Sequence, residues 1–233
     1  VLIEDRIAGP EASLFALIDG PDAIFMGSAQ DHKRAFDNDK GPNTGGMGAV
    51  SPAPRLTDDL QKQVMEEVVM PLARGMAAEG SPYRGILYVG LMLTETGPQV
   101  IEFNCRLGDP EAQVILPRLR SDLVAAMLGT VEGSLSHLSL RWDTKSAVTV
   151  VMATQGYPAS YETGSRISGL DMLAGDRNVI PFHAGTVIEA DGTVRTNGGR
   201  VLAVTGLGDS LELARSAAYA AVDSIDWPEG FCR

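Results

Sequence analysis

The chain has 233 residues, of which 44% are hydrophobic and 21% charged, a balance that excludes intrinsic disorder and leaves room for one large core or two modest ones. Its formal net charge of −11 repels polyanions, so no nucleic-acid partner is expected, and any anionic ligand must be held by local cations, backbone amides or metal. The longest apolar runs, residues 85–93 and 147–153, fall far short of the ~20 residues that span a bilayer, so no membrane partner is expected either.

Residues 1–4 form the first predicted strand, which opens without an initiator Met or a basic leader. The chain therefore reads as a fragment of a longer protein. Its two cysteines, Cys105 and Cys232, cannot build a disulfide framework, so a cytoplasmic location is expected. Residues 13–18 and 23–28 are apolar runs around Asp19-Gly20-Pro21-Asp22, the signature of a turn between strands. Residues 30–54 carry no hydrophobic period and read as one long loop, a length that is usually functional.

Thr57 is a predicted N-cap, and Leu60, Val64, Val68 and Leu72 recur behind it at helical spacing until Gly80. Residues 85–94 and 99–103 flank Glu95-Thr96-Gly97-Pro98 as a hairpin, whose nearly continuous apolar residues predict burial on both faces. A turn at 104–109 precedes predicted helices at 110–116 and 122–128. Polar residues between Gly129 and Lys145 place a domain boundary, giving domains 1–135 and 136–233. Residues 147–153, 180–186, 193–196 and 201–206 then read as strands, and Ser210 caps a last helix over 211–225.

Two constellations carry chemistry. The run Asp37-Asn38-Asp39-Lys40-Gly41-Pro42-Asn43-Thr44-Gly45-Gly46-Met47-Gly48 brings backbone amides and the cations Lys33, Arg34 and Lys40 together, as a phosphate or carboxylate cradle requires. A solvated surface loop would show the same composition. In the second run, Ile101-Glu102-Phe103-Asn104-Cys105-Arg106-Leu107-Gly108-Asp109-Pro110-Glu111, strand alternation puts Glu102 and Asn104 on one face, opposite Ile101 and Phe103. Two oxygen donors at that spacing suit Mg²⁺, and Arg106 is placed to offset the charge of a transferring phosphoryl group. A salt-bridged strand end is the alternative. His32 lies among charged neighbours and reads equally as functional or structural, whereas His137, His183 and Cys105 read as structural.

Taken with Phe182-His183-Ala184-Gly185-Thr186 and Thr196-Asn197-Gly198-Gly199-Arg200, these two runs closely resemble the phosphoribosylamine–glycine ligase family of the ATP-grasp superfamily. The resemblance implies an α+β fold: the C-terminal half of an ATP-grasp domain, an antiparallel sheet with helices, followed by a small mixed α/β domain. It implies ATP-dependent joining of glycine to phosphoribosylamine through a glycyl phosphate, in purine biosynthesis, with Mg²⁺ or Mn²⁺ on Glu102 and Asn104. Arg106 and Asp109 become the catalytic candidates, and Glu4, Ile7 and Glu11 the ATP contacts. Asp37, Asp39, Asn43, Thr44, Gly45, Gly46, Met47 and Gly48 become the substrate contacts. Family members carry further N-terminal domains, so these are the expected partners within one polypeptide, and the 233 residues alone are expected to bind ATP weakly and catalyse poorly. Another ATP-grasp carboxylate–amine ligase and a non-catalytic nucleotide-binding module are the competing readings.

Overall fold

A computed structural model describes residue 3 and residues 6–233, so the predicted strand over 1–4 falls largely outside the described residues. The strands β1 (Glu11–Asp19), β2 (Ala23–Asp31), β3 (Arg34–Phe36), β4 (Lys40–Asn43) and β5 (Gly48–Ser51) precede α1 (Asp58–Val64) and α2 (Met70–Ala78). A π-helical turn, Met65–Val69, joins those helices. The hairpin of β6 (Arg84–Thr94) and β7 (Gly97–Asn104) leads into α3 (Ala112–Ile115) and α4 (Leu123–Glu132). Then follow β8 (Ser146–Thr154), β9 (Arg166–Ile167), β10 (Val179–His183), β11 (Thr186–Ile188), β12 (Val194–Thr196), β13 (Arg200–Gly208), α5 (Leu211–Ser224) and β14 (Gly230–Phe231). No helix among the described residues is long and apolar enough to cross a membrane.

The chain forms two compact units that interleave in sequence. The first comprises Val1–Gln30, Pro52–Gly108 and Leu119–Asp143, and the second Asp31–Ser51, Asp109–Arg118 and Thr144–Arg233. In the first unit an antiparallel sheet runs β2-β1-β6-β7. Alternate residues of β1, namely Ala12, Leu14, Ala16 and Ile18, pack with Val64, Val69 and Ala73 of the helical segment, while Ser13 and Phe15 face the other side. Each fully buried Leu or Ile in this layer contributes about 2 kcal/mol. Thr57 caps α1 by accepting from the Leu60 N–H at 3.3 Å, and the helix stops before Gly80 at φ +78°.

The hairpin departs from expectation. β6 is largely buried, but among the described residues β7 is the edge strand of its sheet, and Ile101, Glu102 and Phe103 are exposed. An edge strand has a neighbour on one side only, so an apolar composition does not bury it.

In the second unit the order is β10-β13-β8-β5, all antiparallel, with β14 also paired to β8. Helix α5 lies on this sheet through Ala218, Ala221 and Val222, against Val150, Met152 and Val204. It packs closely because Gly206 lies beneath it: a Cβ there would come 2.5 Å from the Ala218 nitrogen. Ser210 caps α5 by accepting from the Leu213 N–H on its hydroxyl oxygen at 3.2 Å. The predicted strand over 180–186 is two strands, β10 and β11, broken at Ala184-Gly185. The predicted long loop over 30–54 is also built structure, since it holds the β3–β4 hairpin and β5. Strands of three and four residues are too short to show a period.

Candidate active site

In the first unit the chemistry is carried by the end of β7. The β6–β7 register pairs Leu91 with Val100 but Gly90 with Glu102, so Ile101 is an extra residue, a bulge. Val100 packs on the helical layer, and without the bulge Glu102 would face that way too. The extra residue turns Glu102 and Asn104 to the opposite face, where they stand across from Gly90 and Tyr88. Tyr88 is fixed there by an edge-on contact with Phe15 at 5.1 Å between centroids and by a hydrogen bond from the Ser13 hydroxyl at 3.0 Å. A Cβ at position 90 would come within 3.0 Å of the Glu102 Cγ, so glycine leaves the space that the carboxylate stem occupies.

The donor set fits one kind of metal site. Among the described residues no group of three or more His, Cys, Asp or Glu side chains could cage an ion. One carboxylate and one amide oxygen on an exposed strand end are instead what a hard cation uses when phosphate oxygens and water complete its shell. Arg106, two residues beyond Asn104, donates to the Leu107 carbonyl at 2.9 Å and is otherwise exposed. Of the expected ATP contacts, Glu4 lies outside the described residues, Ile7 is half-buried in a segment that is neither helix nor strand, and Glu11 opens β1 opposite Met92.

In the second unit the glycine-rich run is ordered by hydrogen bonds to neighbouring backbone and to the Thr44 hydroxyl. The Thr44 N–H donates to the Lys33 carbonyl at 2.8 Å, the Thr44 hydroxyl donates to the same oxygen, and the Gly46 N–H donates to that hydroxyl. Met47 donates to the His32 carbonyl and accepts from the Val151 N–H, and its side chain is fully buried. Gly48 begins β5. Asp37 and Asn43 are exposed, and Asp39 pairs with Arg233 at 2.9 Å. Gly46 has φ +108° and lies so close to the chain that a Cβ there would meet Pro110 Cδ at 2.5 Å. A cavity of about 610 Å³ opens beside this run, lined by Asp37, Asn38, Met47, Gly48, Arg215 and Tyr219 among others. His32 also lines it, and burial, with the Arg233 charge, holds its imidazole below the usual histidine range.

Asp109 lies in the same unit. Its carboxylate accepts from the Gln113 amide at 3.0 Å and meets the Arg200 guanidinium at 3.4 Å. Two residues on, Glu111 is only 4% exposed, and burial, then the nearby Asp31 charge, pushes its carboxyl up to about 7. Sequence reasoning missed both Arg200 and Glu111 as members of this cluster. Arg200 could have been suspected from the Gly198-Gly199-Arg200 corner, whereas nothing local marks Glu111 as buried.

The arrangement can therefore hold a hard cation in one unit and, in the other, present amides, a carboxylate and cations to small polar ligands. The sequence matches the family model for the phosphoribosylglycinamide synthetase ATP-grasp (A) domain over residues 1–112 and the C-domain model of the same synthetase over 147–233. A phosphoribosylamine–glycine ligase of Mesorhizobium japonicum is 52% identical over the whole chain, which covers 54% of that protein. One from Vigna unguiculata is 50% identical, with 99% of this chain and 75% of the relative covered. The crystal structure of a phosphoribosylamine–glycine ligase from Thermotoga maritima superposes with a TM-score of 0.87 at 35% identity, over 99% of this chain and 56% of that one. The chain thus spans about half the length of the bacterial relatives it matches.

Proposed function

Because the chain belongs to the phosphoribosylamine–glycine ligase family, we propose that it supplies the metal strand and the substrate loop for ATP-dependent ligation of glycine to phosphoribosylamine. The observation that carries this reading is the bulge at Ile101, which aims Glu102 and Asn104 away from the helical layer onto one face with Gly90 and Tyr88 opposite.

The chemistry asks for such residues. A carboxylate is a poor electrophile, so the glycine carboxylate oxygen must first attack the γ-phosphorus of ATP, breaking the bond to ADP and forming a glycyl phosphate. The amine of phosphoribosylamine then attacks the acyl carbon, the carbon–oxygen bond to phosphate breaks, and the amine nitrogen gives up a proton. Anionic oxygens crowd together in both steps. Mg²⁺ or Mn²⁺ on Glu102 and Asn104 would offset that charge. Arg106 is the second counter-charge, and Asp109 is the acceptor for the glycine ammonium. The amides of the 37–48 run, with Asp37, Asp39, Asn43 and Thr44, take the polar groups of the two substrates, and Met47 and Gly48 hold that run in place. Glu4, Ile7 and Glu11 are assigned to ATP. Domains over 1–135 and 136–233, and a cytoplasmic location, go with this reading.

The test joins this chain to the part of the Mesorhizobium japonicum relative that it does not match and supplies ATP, Mg²⁺, phosphoribosylamine and glycine. ADP formation that requires both glycine and phosphoribosylamine is expected. Turnover that prefers another carboxylate or another amine would favour a different ATP-grasp ligase, and nucleotide binding without turnover would favour a binding module.

A further inference from the structure

Arg200 stands at the start of β13, where an extra residue separates its pairing with Ala153 from that of Leu202 with Met152. This bulge re-aims the side chain at the strand end. The preceding corner is held by the Thr154 N–H on the Gly199 carbonyl and the Thr154 hydroxyl on the Gly198 carbonyl, each at 2.8 Å. From there Arg200 Nη1 donates to the Gly45 carbonyl at 2.7 Å, the Asp109 carbonyl at 2.9 Å and the Gly46 carbonyl at 3.3 Å. Nη2 lies 3.4 Å from the Asp109 carboxylate. The other polar group of Gly45 is held from the same side: its N–H donates to the Tyr157 hydroxyl at 3.1 Å. The Tyr157 ring lies flush on Gly199, where a Cβ would come within 2.9 Å of its Cε2.

One guanidinium therefore ties two consecutive carbonyls of the glycine-rich run to both the backbone and the carboxylate of Asp109. Backbone carbonyls in succession have no intrinsic reason to converge, since their dipoles repel. A cation at their focus overcomes that repulsion: Nη1 meets all three carbonyls, one of its two hydrogens being shared, while Nη2 faces the Asp109 carboxylate. At 21% side-chain exposure the guanidinium is shielded from most of the screening water.

We propose that Arg200 is a positioning residue, which locks Gly45-Gly46 to Asp109 so that the loop amides and the carboxylate meet glycine and phosphoribosylamine as one fixed surface. The claim rests on the ligase reading for the substrates but not for the clamp itself. Arg200 also shapes the site without consuming the outward faces of the loop, because it takes only carbonyl oxygens there and leaves the Asp109 Oδ1 to Gln113.

Two measurements test it. On the chain itself, hydrogen exchange of the amides over 43–48 is expected to quicken about tenfold in Arg200→Gln, with the α5 amides unchanged. Arg200→Lys is expected to fall between Arg200→Gln and wild type, because one ammonium can replace Nη1 at the carbonyls but not Nη2 at the Asp109 carboxylate as well. Tyr157→Phe keeps the ring on Gly199 and loses only the hydroxyl, so it should quicken the same amides in part, and it serves if the Arg200 variants do not fold. In the joined polypeptide, Arg200→Gln is expected to lower kcat/KM for glycine by about 10²-fold while the KM for ATP stays within about threefold. Unchanged exchange over 43–48 in Arg200→Gln, or equal losses for glycine and ATP, would each overturn the proposal. Absence of turnover with Arg200 intact would overturn the ligase reading instead, and the exchange measurement would still decide the clamp.

Discussion

Gly90 stands directly across from Glu102 in the β6–β7 register, and a side chain at position 90 would begin 3.0 Å from the Glu102 Cγ. The space beside the carboxylate stem is thus part of the site. Gly90→Val is expected to turn Glu102 to another rotamer and weaken Mn²⁺ binding in the presence of ADP by about 10–100-fold, the usual effect of disturbing the support of a metal ligand. A Mn²⁺ titration followed by electron paramagnetic resonance in the joined polypeptide checks this, and unchanged affinity would show that Glu102 does not depend on the gap.

Glu111 makes stability depend on pH with a definite sign. Its carboxyl titrates at about 7 in the folded chain, against a reference value of 4.5, because of burial first and the Asp31 charge second. The folded state therefore holds a proton that the unfolded state releases between these values, and folding free energy is lost as pH rises from about 4.5 to about 7. The loss amounts to about 3 kcal/mol. Glu111→Gln should be close to neutral at pH 4 and stabilising by about 1–3 kcal/mol at pH 8, read from urea midpoints at the two pH values. An equal effect at both would contradict the burial argument.

Helix α5 depends on a missing side chain. A Cβ at Gly206 would meet backbone atoms of α5, the Ala214 carbonyl and the Ala218 nitrogen, rather than a flexible side-chain end. Gly206→Ala must push the helix off β13 and should cost about 1–3 kcal/mol, measured by denaturant unfolding.

The cap of the same helix supplies a smaller and separable effect. Ser210 accepts from the Leu213 N–H, and Ser210→Ala should cost about 1 kcal/mol with no change in the cooperativity of unfolding. Because position 210 lies at the N-terminus of α5 and position 206 beneath its body, thermal melts of the two variants should differ in size but agree in sign.

Much of the fold was legible because it is local. Thr57 and Ser210 announce their helices by residue type and spacing, and the Asp19–Asp22 turn separates two strands whose apolar runs are plain to see. What escaped is either short or distant. The β3–β4 hairpin consists of three- and four-residue strands with exposed ends, too brief for any period. The bulge at Ile101 leaves no mark on an apolar run, yet it decides which way Glu102 faces relative to Val100. The composition of β7 is that of an inner strand, and only the strand order among the described residues makes it an edge. The glycine-rich run and the Glu102–Asn104 pair were visible as residue types, but the hold of Arg200 on Gly45 joins residues 155 positions apart, which no local pattern encodes.

Glu102, turned outward by the bulge, is proposed to support metal-dependent activation of glycine. The most direct measurement is incorporation of labelled glycine into glycinamide ribonucleotide by the joined polypeptide, with Mg²⁺ varied, for wild type and Glu102→Ala. Metal-dependent incorporation by wild type is expected, with a loss of about 10²-fold or more in the variant that added Mg²⁺ restores only in part. Incorporation that survives Glu102→Ala at every Mg²⁺ concentration would contradict it.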